Sequence, residues 1–153
     1  MAELTIEISK GAVYEEVAQT TSYTGAKMEG GDDKIYDRIF TTEADRSQLE
    51  RFWNESCVDV CEALKEFVRE ERNGKDSFSI FLGLSTSFDR ALEPAMKKEL
   101  FSFFVMNIVG KWYVFTNKKE AEGFLQSAVE LLDGVKRKAY YRRRPRRPSK
   151  SIS

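Results

Sequence analysis

The residues best suited to bind a ligand stand at the end of the chain, where tyrosines and arginines cluster around two prolines. The last eighteen residues, 136–153, carry nine Lys and Arg and no Asp or Glu. Guanidinium groups pair with phosphates or carboxylates, and tyrosine rings stack on bases, so this composition is typical of a segment that contacts an anionic partner. The predicted contact residues are Lys136, Arg137, Lys138, Tyr140, Tyr141, Arg142, Arg143, Arg144, Arg146, Arg147 and Lys150.

The rest of the chain is acidic. All 25 Asp and Glu lie in residues 1–135 beside 16 Lys and Arg, so a formal net charge of zero hides an acidic body joined to a basic end. This segregation predicts an electrostatic contact with nucleic acid, an acidic protein face or a membrane surface. Two plainer interpretations stay open: a solubilising terminus, or a segment that docks on the protein's own acidic body or on a neighbouring subunit.

Groups that could carry catalysis are few. The chain has no histidine, which excludes Ser-His-Asp and Cys-His nucleophile pairs and histidine-ligated zinc. Neither a phosphate-binding glycine loop nor a dinucleotide fingerprint is present. Asp32 and Asp33, with Asp37 near, suit a solvated turn better than a calcium loop. We therefore expect no catalytic residue, cofactor or metal, and a protein that is not an enzyme.

Two cysteines, Cys57 and Cys61, are four residues apart in a helical pattern. A metal would need two further ligands, and a disulfide within one helix has poor geometry. Free cysteine usually packs as a small apolar residue, so the pattern indicates two semi-buried thiols.

The elements that position these groups follow from composition. With 153 residues, 41% apolar, but only nine glycines and three prolines, the chain predicts one compact and largely helical domain. We place that domain at residues 1–138 and a flexible basic tail at 139–153. The longest apolar stretch, 100–109, is too short to span a membrane, which needs about 20 residues. The start of the chain lacks a secretory pattern, so we expect a cytoplasmic protein without membrane contact.

Residues 3–8 alternate polar and apolar side chains, as a strand does, and the start of a frayed helix is the alternative for so short a match. Residues 78–84 form a short apolar segment, either a strand pairing with 3–8 or a buried connector. Between Gly11 and Gly25 the apolar spacing predicts a short helix, followed by a loop over 25–36.

A second helix is predicted from the N-cap Thr42, with charged residues following Phe67 and Asn73-Gly74 ending the helix. Its apolar side chains recur every three or four residues, at Leu49, Trp53, Ser56, Val60, Leu64 and Phe67.

The third helix is predicted from an apolar series between Leu92 and Phe115, with Pro94 placed early enough for a mild kink. A hairpin turning at Gly110-Lys111 is the alternative over 103–115, although it lacks a strong hairpin dipeptide. A last helix begins at Asn117. The fold class we expect is mainly α, a bundle of about four helices with one or two short strands or extended segments.

Two segments and a helix start carry a family resemblance: Tyr14 to Gly25, Tyr36 to Arg46, and the Phe52-Trp-Asn-Glu55 sequence. Together they resemble small helical proteins from the structural-gene clusters of phages and prophages, including head–tail connector-type proteins. The resemblance implies a non-enzymatic subunit that assembles, often as a ring, through helical faces and flexible termini. It includes no catalytic or ligand motif.

Two functions are therefore expected. The first is a phage- or prophage-type structural or assembly subunit, a homo-oligomer in the cytoplasm or the virion, whose basic tail contacts a partner subunit or DNA. The alternative is a small nucleic-acid-binding accessory protein that uses the same tail. A carboxylate-dependent metal enzyme has too few candidate groups. Oligomeric state separates the first two, because any such tail binds polyanions weakly.

Overall fold

The computed structural model describes residues 2–29 and 43–142, in which four long helices combine with a three-stranded antiparallel sheet. The prediction of a mainly α protein with short strands is confirmed. In chain order the elements are β1 (Ala2–Ser9), α1 (Lys10–Glu29), α2 (Glu43–Ala63), β2 (Val68–Asn73), β3 (Ser77–Leu84), a 3₁₀ turn (Arg90–Leu92), α3 (Glu93–Thr116) and α4 (Lys118–Tyr140).

Strand β3 lies in the middle of the sheet, between β1 and β2. It pairs with β1 over eight residues, so residues 78–84 form a strand that pairs with residues 3–8 and are not a buried connector. In β1 the side chains alternate, with Leu4, Ile6 and Ile8 buried and the residues between them exposed. One face of the sheet therefore packs on the helices and the other faces solvent.

The region after α2 corrects the prediction. Helix α2 ends at Ala63 instead of continuing to Asn73-Gly74, and Val68–Asn73 forms an edge strand. Asn73 ties this strand to α2, because its side chain accepts from Trp53 Nε1 at 3.2 Å and donates to Asn54 Oδ1 at 2.9 Å. Gly74 N–H then donates to the carbonyl of Ser77 at 2.9 Å and closes a hairpin turn. Asn-Gly is as characteristic of hairpins as of helix ends.

The first helix is longer than expected. It extends to Glu29, so the prediction that it ends at Gly25 is wrong, as is a loop beginning there. A helix tolerates an internal glycine at a cost of about 1 kcal/mol. The rest of the predicted loop and the predicted N-cap Thr42 lie outside the described residues.

Helix α3 is the centre of the molecule and contacts α1, α2, α4 and β1. A helix that is apolar on every side belongs in the core, and the helix prediction for 103–115 is confirmed over the hairpin. Its Phe104 ring packs 4.8 Å from Trp53 of α2 and 5.8 Å from Phe78 of β3, measured between ring centroids. Pro94 lies in the first turn, where proline fits without a kink.

Helices α3 and α4 form an antiparallel pair joined through Asn117. Gly110 allows their close approach, because a Cβ at this position would lie 2.7 Å from Leu125 Cδ2. At the other end of the pair, the Lys138 ammonium group meets the Glu99 carboxylate. The pairing therefore places the basic end of α4 beside the start of α3.

Candidate anionic-partner interface

The predicted contact residues begin in the last turns of α4, where the helix dipole favours positive charge. Arg137 is exposed and Lys136 is half-buried. Lys138 forms an ion pair with Glu99, and both side chains are mostly covered. Lys138 therefore holds α4 against α3, whereas Arg137 faces solvent and suits contact with a partner.

Tyr140 also contacts the body of the protein. Its ring lies 4.7 Å from the Phe67 ring in an edge-on arrangement, and its hydroxyl donates to the Glu66 carboxylate. This hydrogen bond raises the pKa of the Tyr140 hydroxyl. Ala139 beside it is buried. The structure thus places Tyr140 in an intramolecular contact, where the sequence suggested a ring free to stack on a ligand.

The described chain ends next to the start of the sheet. Tyr141 is 50% exposed, and Arg142 makes an isolated backbone bridge with Phe88. The remaining predicted contact residues, Arg143, Arg144, Arg146, Arg147 and Lys150, lie outside the described residues. Among the predicted contact residues that the structure describes, Arg137, Tyr141 and Arg142 are exposed and available for a partner, whereas the exposed Tyr140 already contacts Phe67 and Glu66.

The surface around α4's end is not uniformly positive. A shallow depression of about 450 Å³ is lined by two acidic and two basic side chains and Tyr140. Mixed charge of this kind suits a polar protein surface better than a polyphosphate backbone, which repels carboxylates. The sequence of residues 143–153, by contrast, has five Lys and Arg and no Asp or Glu.

A second depression, which no sequence motif predicts, runs along the outer side of α2. It measures about 670 Å³ and includes Glu55, Val58 and Lys111 in its lining. Lys111 of α3 pairs with Glu55 at 2.7 Å and ties the two helices together. Val58 is 66% exposed and does not belong to the buried apolar face of α2. An apolar residue outside that face is the one feature of the sequence that indicates this surface.

Glu50 forms the wall of that depression and belongs to a compact cluster. It accepts hydrogen bonds from Lys10 Nζ at 2.7 Å and the Tyr14 hydroxyl at 2.9 Å, and Lys10 lies over the Trp53 ring. Burial alone would raise the pKa of Glu50, but the bonds from Lys10 and Tyr14 outweigh it and lower the pKa. Burial and Glu50 raise the pKa of Tyr14. The cluster therefore stabilises the packing of the start of α1 against α2.

A third depression, of about 390 Å³, lies between the end of α3 and the start of α4. Its apolar lining includes Val114, Leu125 and Val129. Phe115, which follows Val114 in the sequence of α3, is 71% exposed. Exposed apolar side chains concentrated in one region mark interaction surfaces more often than scattered ones do.

The two cysteines are free thiols, as the sequence indicated. Burial, with Cys61 and Glu71 nearby, raises the pKa of the Cys57 thiol to about 12. Burial and a hydrogen bond to Glu71 raise the pKa of Cys61 to about 12 as well. Neither thiol is therefore ionised at neutral pH. In residues 2–29 and 43–142 no three His, Cys, Asp or Glu side chains come together as metal ligands do.

No protein-family model matches this chain, and neither a curated protein nor a solved structure is significantly similar to it. Among the helices the structure describes, none has the length and apolar character needed to cross a membrane.

Proposed function

We propose that this chain is a non-enzymatic assembly subunit of the phage or prophage structural type, similar to head–tail connector proteins. In this proposal a helical-bundle body forms homo-oligomers in the cytoplasm or in a virion. The arginine-rich C-terminal segment contacts an acidic face of a partner subunit, or DNA. Support comes from surfaces suited to protein–protein contact and from the resemblance of its N-terminal half to such proteins.

The observation that carries the proposal is the group of exposed apolar side chains where α3 and α4 meet. Phe115, near the end of α3, is 71% exposed. Val114 of α3 and Val129 of α4 line the depression between the two helices. Charged residues of both signs, such as Lys118 and Glu122, border the same depression. An apolar centre with a polar rim is the composition of a protein–protein interface.

The alternative function, a nucleic-acid-binding accessory protein, has one observation in its favour. Tyr141 is half-exposed next to Arg142, and an exposed ring beside a guanidinium group suits stacking on a single-stranded base. Under this alternative the protein is a monomer or dimer, and its affinity for single-stranded DNA falls steeply with salt.

Light scattering coupled to size exclusion, at low and high salt, tests the proposal. We expect a discrete oligomer that survives high salt and that Phe115→Glu or Val129→Glu dissociates. Gln19→Glu is the matched control, because it adds the same charge at an exposed site on α1 and leaves the oligomer intact. A wild-type monomer under every condition rejects the assembly subunit and favours the nucleic-acid alternative.

A further inference from the structure

Strand β1 has a free edge whose backbone groups can be assigned. The Gly83 N–H donates to the Phe67 carbonyl on the β2 side at 2.8 Å, so it does not point toward β1. Glu3 pairs opposite Gly83, and its own N–H and C=O therefore point away from the sheet. The Glu3 carbonyl accepts from Arg90 Nη2 at 3.2 Å, which agrees with this assignment. By alternation, Thr5 and Glu7 also point outward.

The two edges of the sheet differ. Edge strand β2 has a register shift between Val68 and Glu70 and carries mostly charged, exposed side chains, which are devices that block further pairing. Strand β1 is regular over eight residues and has neither a bulge nor a proline. Within residues 2–29 and 43–142, no hydrogen bond reaches the outward backbone groups of Thr5 or Glu7. Such an edge is a template for another strand.

Charge decides which strand fits this edge. The exposed side chains of Glu3 and Glu7 lie on the outer face of β1. A second copy of β1 would bring four glutamates onto two neighbouring strands, and like charges on facing strands are destabilising. A strand rich in arginine would instead pair with them. We infer that residues 143–147, Arg-Arg-Pro-Arg-Arg, add to the free edge of β1 as a fourth strand.

The position of Pro145 selects the pairing of this segment. Alternate residues of a strand face the partner, and proline has no N–H to donate. Arg144 and Arg146 therefore face β1, Pro145 faces away, and Pro148 ends the ladder. The remaining residues of the segment are arginines, so guanidinium groups lie beside Glu3 and Glu7 whichever direction the segment runs.

The route of the chain is compatible with this pairing. Arg142 bridges Phe88, and Arg90, two residues later, contacts Glu3, so the chain leaves α4 near the first residues of β1. Eleven residues follow Arg142. Extended, they reach about 36 Å, whereas the eight residues of β1 span about 27 Å. The inference rests on the proposed function in one respect, that the C-terminal segment is a binding element. The acidic protein face that this element binds is the edge of β1 with Glu3 and Glu7.

Amide hydrogen exchange resolved by NMR on the full chain tests the inference. We expect the Thr5 and Glu7 amides to exchange at least about tenfold more slowly than open edge amides do. Arg146→Pro removes a donor that faces β1 and abolishes this protection. Arg147→Pro is the matched control, because it removes the same charge and an N–H that faces away, and it keeps the protection. The Ile6 amide, bonded to β3, stays protected in every variant and reports that the sheet is folded.

Two results overturn the inference: fast exchange at Thr5 and Glu7 in the wild type, or equal effects of the two proline variants. If protection is independent of protein concentration, the segment pairs within its own chain. If dilution removes the protection, the segment pairs with β1 of a neighbouring copy. In both cases residues 143–147 are the strand that pairs with β1. Light scattering on the same samples measures the oligomeric state independently. Fast exchange at Thr5 and Glu7 in a protein that still forms the oligomer therefore rejects the strand pairing and leaves the proposed function standing.

Discussion

The side chain of Glu71 shows how one residue can set the chemistry of another. It accepts the Cys61 thiol hydrogen from across the gap between β2 and α2, and it also lies near Cys57. A carboxylate beside a thiol opposes ionisation, and burial acts in the same direction. The two cysteines, which the sequence predicted to be semi-buried thiols, are thus unsuited to a nucleophilic role.

Thiol reactivity at pH 8 tests this assignment. With a pKa of about 12 instead of about 9, each thiol is ionised about a thousandfold less than a free cysteine. We expect native protein to react with Ellman's reagent at least about a hundredfold more slowly than urea-unfolded protein. Reaction of the native protein at the unfolded rate contradicts the assignment.

Glu71→Gln refines the test at Cys61. In a Cys57→Ala background, only Cys61 reports, and loss of the carboxylate lowers its pKa. The native reaction rate should therefore rise, while the urea-unfolded rate stays unchanged. An unchanged native rate would mean that burial alone controls this thiol.

Among the elements, the sequence located those whose side-chain pattern reflects burial. The alternation of β1 and the apolar series of α3 and α4 arise directly from contact with the core. Strand β2 lacks such a pattern, because it is an exposed edge and nearly every side chain meets solvent. What defines β2 is its hydrogen bonding to β3 and the Asn73 contact to Trp53, which are nonlocal.

The sequence pattern allows Gly110 to be the turn of an alternative hairpin, but the structure gives this glycine another role. It lies inside α3, where the absence of a side chain admits Leu125 of α4. A sequence shows that a glycine is present, but whether it serves a turn or a close approach depends on the partner helix.

Gly110→Ala should therefore destabilise the protein by about 1–3 kcal/mol, since the new Cβ would lie 2.7 Å from Leu125 Cδ2. Gly123→Ala in α4 is the matched control, because a Cβ there meets nothing within 4 Å. Better helix propensity should make that variant up to about 1 kcal/mol more stable. Urea unfolding of both variants measures the free energies. A neutral Gly110→Ala would show that α3 and α4 can separate without cost.

For the whole molecule, the sequence shows the segregation of charge but does not predict which residues of the basic end contact the acidic body. Residues 1–142 hold 20 Lys and Arg against 25 Asp and Glu, and residues 143–153 hold five basic residues and no acid. Helix α4 nevertheless extends to Tyr140, two residues beyond the domain boundary expected at 138. The contacts of Lys138 and Tyr140 depend on Glu99 and Glu66, which are distant in sequence. Composition cannot reveal such partners.

Two shortened chains separate the structural part of the C-terminus from its binding part. A chain ending at Lys138 lacks buried Ala139 and the contact between the Tyr140 and Phe67 rings, whereas a chain ending at Arg142 keeps both. An aromatic pair contributes about 0.5–1.5 kcal/mol beyond its buried area, so the total loss should be about 2 kcal/mol.

For a protein of this size, that loss lowers the thermal midpoint of the shorter chain by about 4–8 °C relative to the longer one. Both chains lack residues 143–153, so any contribution of that segment cancels. Differential scanning calorimetry measures the difference. Equal midpoints would show that the end of α4 contributes nothing to the stability of the body. The part of the C-terminus without a structural role would then begin at Ala139 instead of Arg143.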